Sequence, residues 1–405
     1  MDLSWHNARI VSTSIEVLNL PNPDVRRIFW ILSLAMFTSM VGVGIIVPLL
    51  PIYAEELGAS GIWIGLIFSG FSLSHSLFSP LVGRISDFWG RKIFIATGLF
   101  LYWLISLGYL LCNSVGDLVL VRVVQGCSGA MIIPLAMAHI GDIAPENEEG
   151  RYLGSFSVSL FAGFGFGPLL GGLIMHRFGI EANFYLMSLL CFLAFLVVLL
   201  FLPNMKRSKG SQEKRLPGYQ NLLRSPVSLG LFLFRFSNAF ARGALLAFLP
   251  LLAYHHSHMN ATQIGIVISV NILLVSGLQA PFGRLADRWS RLKLVLMGSL
   301  GFSLVMSFLP SCRGFWQFLF INLIMGMSGA LAIPAASAIA VDEGRKFGMG
   351  SSMGFFNLGM SLGLSAGPIL AGKVSDLAGL SYAFYFATLV GCIGSIGFAS
   401  LAKKG

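Results

Sequence analysis

Long apolar runs alternate with short polar breaks along this chain. Twelve of the runs are long enough, and free enough of charge, to cross the roughly 30 Å hydrocarbon core of a bilayer as helices. They cover residues 28–53, 60–82, 93–111, 118–140, 153–175, 184–202, 227–253, 263–282, 292–309, 316–340, 349–372 and 382–402. A polar stretch at 204–225, NMKRSKGSQEKRLPGYQNLLRS, divides them six and six. It has the basic, Gly- and Pro-containing composition of a cytoplasmic linker. The pattern predicts an all-α membrane protein with twelve transmembrane helices in two six-helix bundles. A tail (1–27), a first bundle (28–203), a linker (204–226) and a second bundle with a short tail (227–405) follow from it. No signal peptide is expected, because polar and mixed residues precede the first apolar run.

The two halves repeat each other. GRISDFWGRK at 83–92 returns as GRLADRWSRLK at 283–293, at a constant offset of 200. RVVQGCSGAMIIPLAMAHIGD (122–142) aligns in the same way with NLIMGMSGALAIPAASAIAVD (322–342), and GFGFGPLLGG (163–172) with GLSAGPILAG (363–372). Six helices per unit bring the second copy back to the same side. The halves are therefore parallel repeats about an axis near the membrane normal, an arrangement that places a site between them near mid-membrane. That is the physical case for a secondary transporter.

Composition agrees, with 56% hydrophobic and only 11% charged residues among 405. A soluble protein of this size has no place to hide that much apolar surface. The net charge of +10 is mostly topology. If both termini are cytoplasmic, the cations concentrate on the inner side, as the positive-inside rule asks. The exceptions among the 27 Lys and Arg are Arg177, Arg313 and Lys373 outside, and Arg122, Arg235 and Arg242 within spans. The charge is no argument for nucleic acid, since no basic patch interleaves with aromatics. The five cysteines (112, 127, 191, 312 and 392) have no metal-ligand spacing, and no GxxxxGK[ST] loop points to ATP. No nucleophile–base constellation stands out, so no enzyme, catalytic residue, metal or cofactor is expected.

These motifs resemble the major facilitator superfamily over nearly the whole chain. The family's box after the second helix, G-x-L-A-D-R-x-G-R-K, is matched by Gly83, Asp87, Gly90, Arg91 and Lys92, while Ile85, Ser86 and Phe88 depart from it. The second copy keeps Leu285, Ala286, Asp287, Arg288 and Arg291 but has Ser290 and Leu292 in place of Gly and Lys. Arg122 to Ala130, with Gln125, resembles the fourth-helix motif R-x-x-Q-G-x-x-G-A. Gly154, Gly163, Gly167, Pro168, Gly171 and Gly172 match a fifth-helix pattern that marks the antiporter branch, particularly twelve-helix drug:proton exporters.

A carboxylate at a helix N-terminus meets exposed N–H groups and a favourable dipole. The resemblance implies that Asp87 reaches the start of the eleventh helix near Met349, across the bundle interface. Arg91 should pair with Asp142, Arg291 with Asp342, and Asp287 should meet the start of the fifth helix. Together these form a cytoplasmic gate that closes the inside and breaks when the protein turns inward. The alternative is a positive-inside anchor with a tight turn. Gly163, Gly167 and Gly171 make a smooth face on the fifth helix, repeated by Gly359, Gly363 and Gly367 with Pro368 on the eleventh. That seam is expected at the moving interface, so that bulk at Gly167 reduces transport before expression.

Arg235, Asn238 and Arg242 share one face of the seventh helix, and no Asp or Glu lies centrally in any span. A cavity facing Arg122 and Arg242 would be electropositive and suit an anion. Alternatively, Arg122 bonds backbone carbonyls and Arg235 snorkels to the inner interface. His75 and His139 are the embedded groups that ordinarily titrate near neutrality. Glu55 and Glu56 are expected to end the first helix in solvent. Met40, Asn271, Gln279, Asn322 and Asn357 are candidates to line the cavity. The first functional expectation is a monomeric, proton-coupled exporter of small amphipathic compounds in a plasma membrane, a bacterial inner membrane in the first instance. The second is a carrier of an organic anion or lipid-like acid, not necessarily proton-coupled. The third is a receptor or scaffold that moves nothing, against which two intact gate boxes argue.

Overall fold

The computed structural model describes residues 23–145, 148–203 and 219–402. Most of the expected tail and linker, with Lys403 and Lys404, lies outside the described residues. The first six spans are Asp24–Glu56, Gly61–Trp89, Arg91–Leu111, Val115–Ile143, Glu149–Phe178 and Ile180–Phe201. The second six are Pro226–Ser257, Ala261–Arg288, Arg291–Ser311, Phe315–Phe347, Met349–Ala378 and Leu380–Ala402. Each extends past the apolar run that predicted it, because polar helix ends continue beyond the hydrocarbon. A short helix, Tyr219–Arg224, precedes the seventh span.

Local chemistry sets the ends. Gly90 alone separates the second span from the third, at φ 93°, where a side chain would be strained. Its counterpart Ser290 turns at φ −61°, which explains why the second box can do without glycine. Ser114 with Asp117 and Asn260 with Gln263 form capping boxes at the starts of the fourth and eighth spans. The first span breaks over 47–49, between the helices Pro23–Ile46 and Leu50–Glu56. Pro48 and Pro51 have no N–H to continue the ladder there.

Within the first half, span one packs on five and six, and two on four; in the second half, seven packs on eleven and twelve, and eight on ten. The halves meet chiefly through two antiparallel pairs, two with eleven and five with eight. Leu111, Leu120, Trp316, Phe320, Leu389 and Ile393 are exposed, as side chains facing lipid would be.

The glycine seam differs from expectation. A Cβ on Gly163, Gly167 or Gly171 would run into Phe37, Gly44 or Ile45 of the first span, inside the same half. Gly363 and Gly367 meet Phe236 and Phe240 of the seventh span likewise. The i+4 rows thus hold each half together. The glycines that cross between halves lie on other rows: Gly61 against Gly372, Gly65 against Pro368, Gly172 against Ala261 and Gly265 against Pro168. Because helix faces turn 100° per residue, a step from Gly171 to Gly172 changes the partner from the first span to the eighth.

Candidate functional site

At the end of the molecule that carries the two boxes, Arg91 is ion-paired with Asp142 and Arg291 with Asp342, each through Nη1 and Oδ2. Arg91 Nη2 lies 3.4 Å from Asp87 and Arg291 Nη2 4.0 Å from Asp287. Each cluster stays within its own half. The expected reach of Asp87 to the helix start at Met349 is not made among the described residues: the Asp87 carboxylate is bonded to Arg91, and its side chain is 48% exposed. Asp287, 72% exposed, makes no hydrogen bond to the fifth span among the described residues either. The reason is geometric, because the halves stand apart here. Gly154, Gly277 and Gly350 face open space, as does Gly83. Lys92 turns away from the latch into a groove with Ile93, Phe100, Phe195 and Leu199.

The opposite end is sealed. Asp376, in the last turn of the eleventh span, accepts hydrogen bonds from Gly61 N at 2.6 Å and Ile62 N at 2.9 Å. It caps the second span in trans, where Ser60 makes no cap of its own. Ser69 Oγ donates to the Ser365 carbonyl, and Thr262 Oγ1 to the Gly172 carbonyl at 3.1 Å. Glu55 ends the first span exposed, as expected, and lies 2.8 Å from His255 Nε2, its own counterpart at an offset of 200.

The intramembrane cations divide into two kinds. Arg122 is buried inside the first half, with Nε on the Ile67 carbonyl at 3.3 Å and Nη1 on Gln125 at 2.9 Å. Its guanidinium lies 4.5 Å from the centre of the Phe71 ring and 5.5 Å from that of Phe68. Gln125 also accepts from Tyr109 at 2.7 Å. The alternative of carbonyl bonding therefore describes Arg122, and Gln125 is its partner rather than a free cavity group. Arg242 Nε donates to Asn238 Oδ1 at 3.1 Å and Arg235 Nη2 to Met360 Sδ at 2.8 Å. Neither makes an ion pair among the described residues.

The polar candidates scatter. Asn271 bonds the Asn322 carbonyl at 2.8 Å and so ties the eighth span to the tenth. Asn357 is exposed on the half of the eleventh span nearer the boxes. His75 is partly exposed and stacked on Phe71 at 6.0 Å, whereas His139 is buried with Nε2 unpartnered among the described residues.

Glu343 escaped the sequence reading. It is only 3% exposed and accepts from Ser225 Oγ at 2.8 Å, Ser228 Oγ at 3.1 Å and Lys346 Nζ at 2.7 Å. It thereby binds the start of the seventh span to the end of the tenth. The repeat held a signal, because its counterpart is Ile143 and a carboxylate there breaks an apolar position. Replacing Glu343 by alanine strands three donors, and hydrogen bonds to a charged group are worth about 1.5–3 kcal/mol each. Glu343→Ala is expected to cost about 2–3 kcal/mol, seen as a lower unfolding temperature in detergent. An unchanged unfolding temperature would make this clasp dispensable.

The chain matches known proteins over nearly its whole length. The sequence model of the Major Facilitator Superfamily matches residues 32–236 and 231–404. An uncharacterized MFS-type transporter of Methanocaldococcus jannaschii is 29% identical over 367 residues, covering 89% of this chain and 94% of that one. Multidrug resistance protein 2 of Bacillus subtilis is 27% identical over 384 residues, covering 92% and 94%. Among solved structures, a bacterial homolog of the human lysosomal transporter Spinster, inward-facing and unoccupied, superposes with a TM-score of 0.78. It is 14% identical and covers 95% of this chain and 98% of that one.

Proposed function

The chain belongs to the Major Facilitator Superfamily, and from that footing we propose that it exports small amphipathic organic compounds by alternating access, driven by an inward proton gradient. It is a multi-pass membrane transporter of small molecules, with twelve spans among the described residues. The cation bias puts the box end and both termini in the cytoplasm. On that orientation the present state faces inward, the state in which an exporter loads. The observation that carries the reading is the difference between the two ends. Contacts between the halves at Gly61, Gly65, Ser69, Thr262 and Gly265 close one end, while the box carboxylates and arginines stay within their own halves.

The name of the Bacillus subtilis relative, a multidrug resistance protein, supports efflux. Both gates lie within one chain, so we take the monomer as the working unit. His75 is the group we assign to carry the proton, because it is partly exposed in the second span, beside the helix pair that moves. Vesicles containing the purified protein, loaded with ethidium and given a pH gradient, test this directly. The expected result is gradient-dependent ethidium movement that a protonophore abolishes and His75→Gln uncouples. Movement indifferent to the gradient would remove the proton, and no movement at all would remove efflux.

A further inference from the structure

The seventh span carries two cations that make no ion pair and are only partly hydrogen-bonded among the described residues. Arg242 Nη2 and Arg235 Nε are both buried without a hydrogen-bond partner among the described residues. What surrounds them is soft: Arg242 lies 5.1 Å from the Phe302 ring centre and Arg235 4.9 Å from that of Phe356. An unmade hydrogen bond at a charged, buried group is costly, and a cation in a span is dearer still. Arg122 differs, since Ile67 and Gln125 accept its bonds.

The internal repeat says whether these charges are architectural. Their counterparts in the first half are Ala35 and Gly42, which build the same helix without charge. Room has been made for them too. A Cβ on Gly329 of the tenth span would collide with Arg242 Nη2. At the matching glycine of the first half, Gly129, the nearby group is the Tyr102 hydroxyl, where the second half has Phe302. The second half has thus replaced a neutral polar contact by a guanidinium whose bonding is incomplete, and Arg242 remains partly exposed.

We propose that Arg242, held by Asn238, is the docking point for the anionic group of an amphipathic substrate, with Arg235 as the first contact on the way in from the box end. The proposal rests on the exporter reading and extends its cargo to organic acids carrying a carboxylate, sulfonate or phosphate beside an apolar body. Seven residues separate the two arginines, about 10 Å along a helix, so one small anion meets them in turn rather than together. Arg235 lies nearer the open end and steers entry by its charge. Arg242 lies deeper and offers the fork geometry that a carboxylate matches with two bonds. The bound anion supplies the acceptors that the protein withholds, which makes loading compensate the cations.

The test uses the purified full chain in nanodiscs of zwitterionic lipid and two fluorescent probes of one shape, dansylglycine (an anion) and dansylglycinamide (neutral). Wild type should bind the acid at least about 10-fold more tightly than the amide, as one charge-assisted pair implies. Arg242→Gln should erase that preference and Arg235→Gln should slow association. Arg242→Lys should keep part of the preference. Unfolding temperature separates this from a structural role: removing an unpaired buried cation leaves stability unchanged or raises it, whereas a structural arginine lowers it when lost. Equal affinity for both probes in wild type, or a preference that survives Arg242→Gln, overturns the proposal. Adding phosphatidylglycerol distinguishes the source of the natural anion. Competition with dansylglycine points to a lipid-like acid from the bilayer, and its absence to a soluble one; either supports the site. Ethidium movement without any acid preference leaves the exporter standing and removes the anion site. Acid preference without movement of either probe in vesicles does the reverse.

Discussion

Asp376→Asn is expected to unseal the closed end, shifting the population away from the present state by about tenfold. The carboxylate takes two first-turn N–H groups, from Gly61 and Ile62, at 2.6 and 2.9 Å. An asparagine accepts from one of them and turns its own NH₂ toward the other, and it forfeits the charge that the helix dipole favours. A hydrogen bond to a charged group is worth about 1.5–3 kcal/mol. Exposure reduces that here, and a loss of about 1.4 kcal/mol corresponds to tenfold. Spin labels at Asn113→Cys and Arg313→Cys, both on exposed loops of the sealed end, would read the distance between halves. Native Cys112 and Cys312 interfere little, because burial pushes both thiols up to about 11. An unaltered distance distribution in Asp376→Asn would show that the seal is apolar packing alone.

The placement of Asp376 gives this latch a partner. A carboxylate in the last turn of a helix opposes its own dipole and needs another reason to be there. Spans two and eleven are antiparallel, so the N-terminus of each lies beside the C-terminus of the other. Asp376 near the end of the eleventh span serves the start of the second. Asp87 near the end of the second span stands where it could serve the start of the eleventh if the box end closed. One antiparallel pair thus carries a carboxylate for each end, and one of the two is engaged here. Asp87→Asn should therefore shift the same label distances in the opposite sense to Asp376→Asn.

Much of this was legible in the sequence because it depends on pattern. Apolar length predicted the twelve spans, the family resemblance implied the pairing of Arg91 with Asp142, and the offset of 200 carried that pairing to Arg291 and Asp342. What could not be read depends on helix azimuth and on conformational state. Gly167 and Gly172 look alike in a motif, yet one faces the first span and the other the eighth. Arg122 and Arg242 are both intramembrane cations, and only packing shows that Arg122 is bonded to Ile67 and Gln125 while Arg242 keeps a buried Nη2 without a partner among the described residues. Asp376 gave no periodic signal, since its counterpart is His176 and the repeat offers nothing to compare.

Two alanine substitutions should separate the seam that builds a half from the one that moves. In both, a new Cβ meets backbone rather than a flexible side-chain tip: Gly167 faces Gly44, and Gly65 faces the Pro368 carbonyl. Overpacking of this kind costs about 1–3 kcal/mol. Gly167 and Gly44 belong to one half and stay together in every working state, so Gly167→Ala has no conformation in which to escape. It is expected to lower the unfolding temperature and the yield of folded protein. Gly65 and Pro368 belong to different halves, and they part when the sealed end opens. Gly65→Ala therefore penalises the present state alone, and alanine also adds up to about 1 kcal/mol of helix propensity over glycine. The expected outcome is a protein as stable as wild type or more so, with the sealed-end distance shifted toward opening by about 10-fold or more and transport slowed to match. If Gly65→Ala instead unfolded the protein as Gly167→Ala does, the contact between spans two and eleven would be part of a permanent core, and alternation would have to pivot elsewhere.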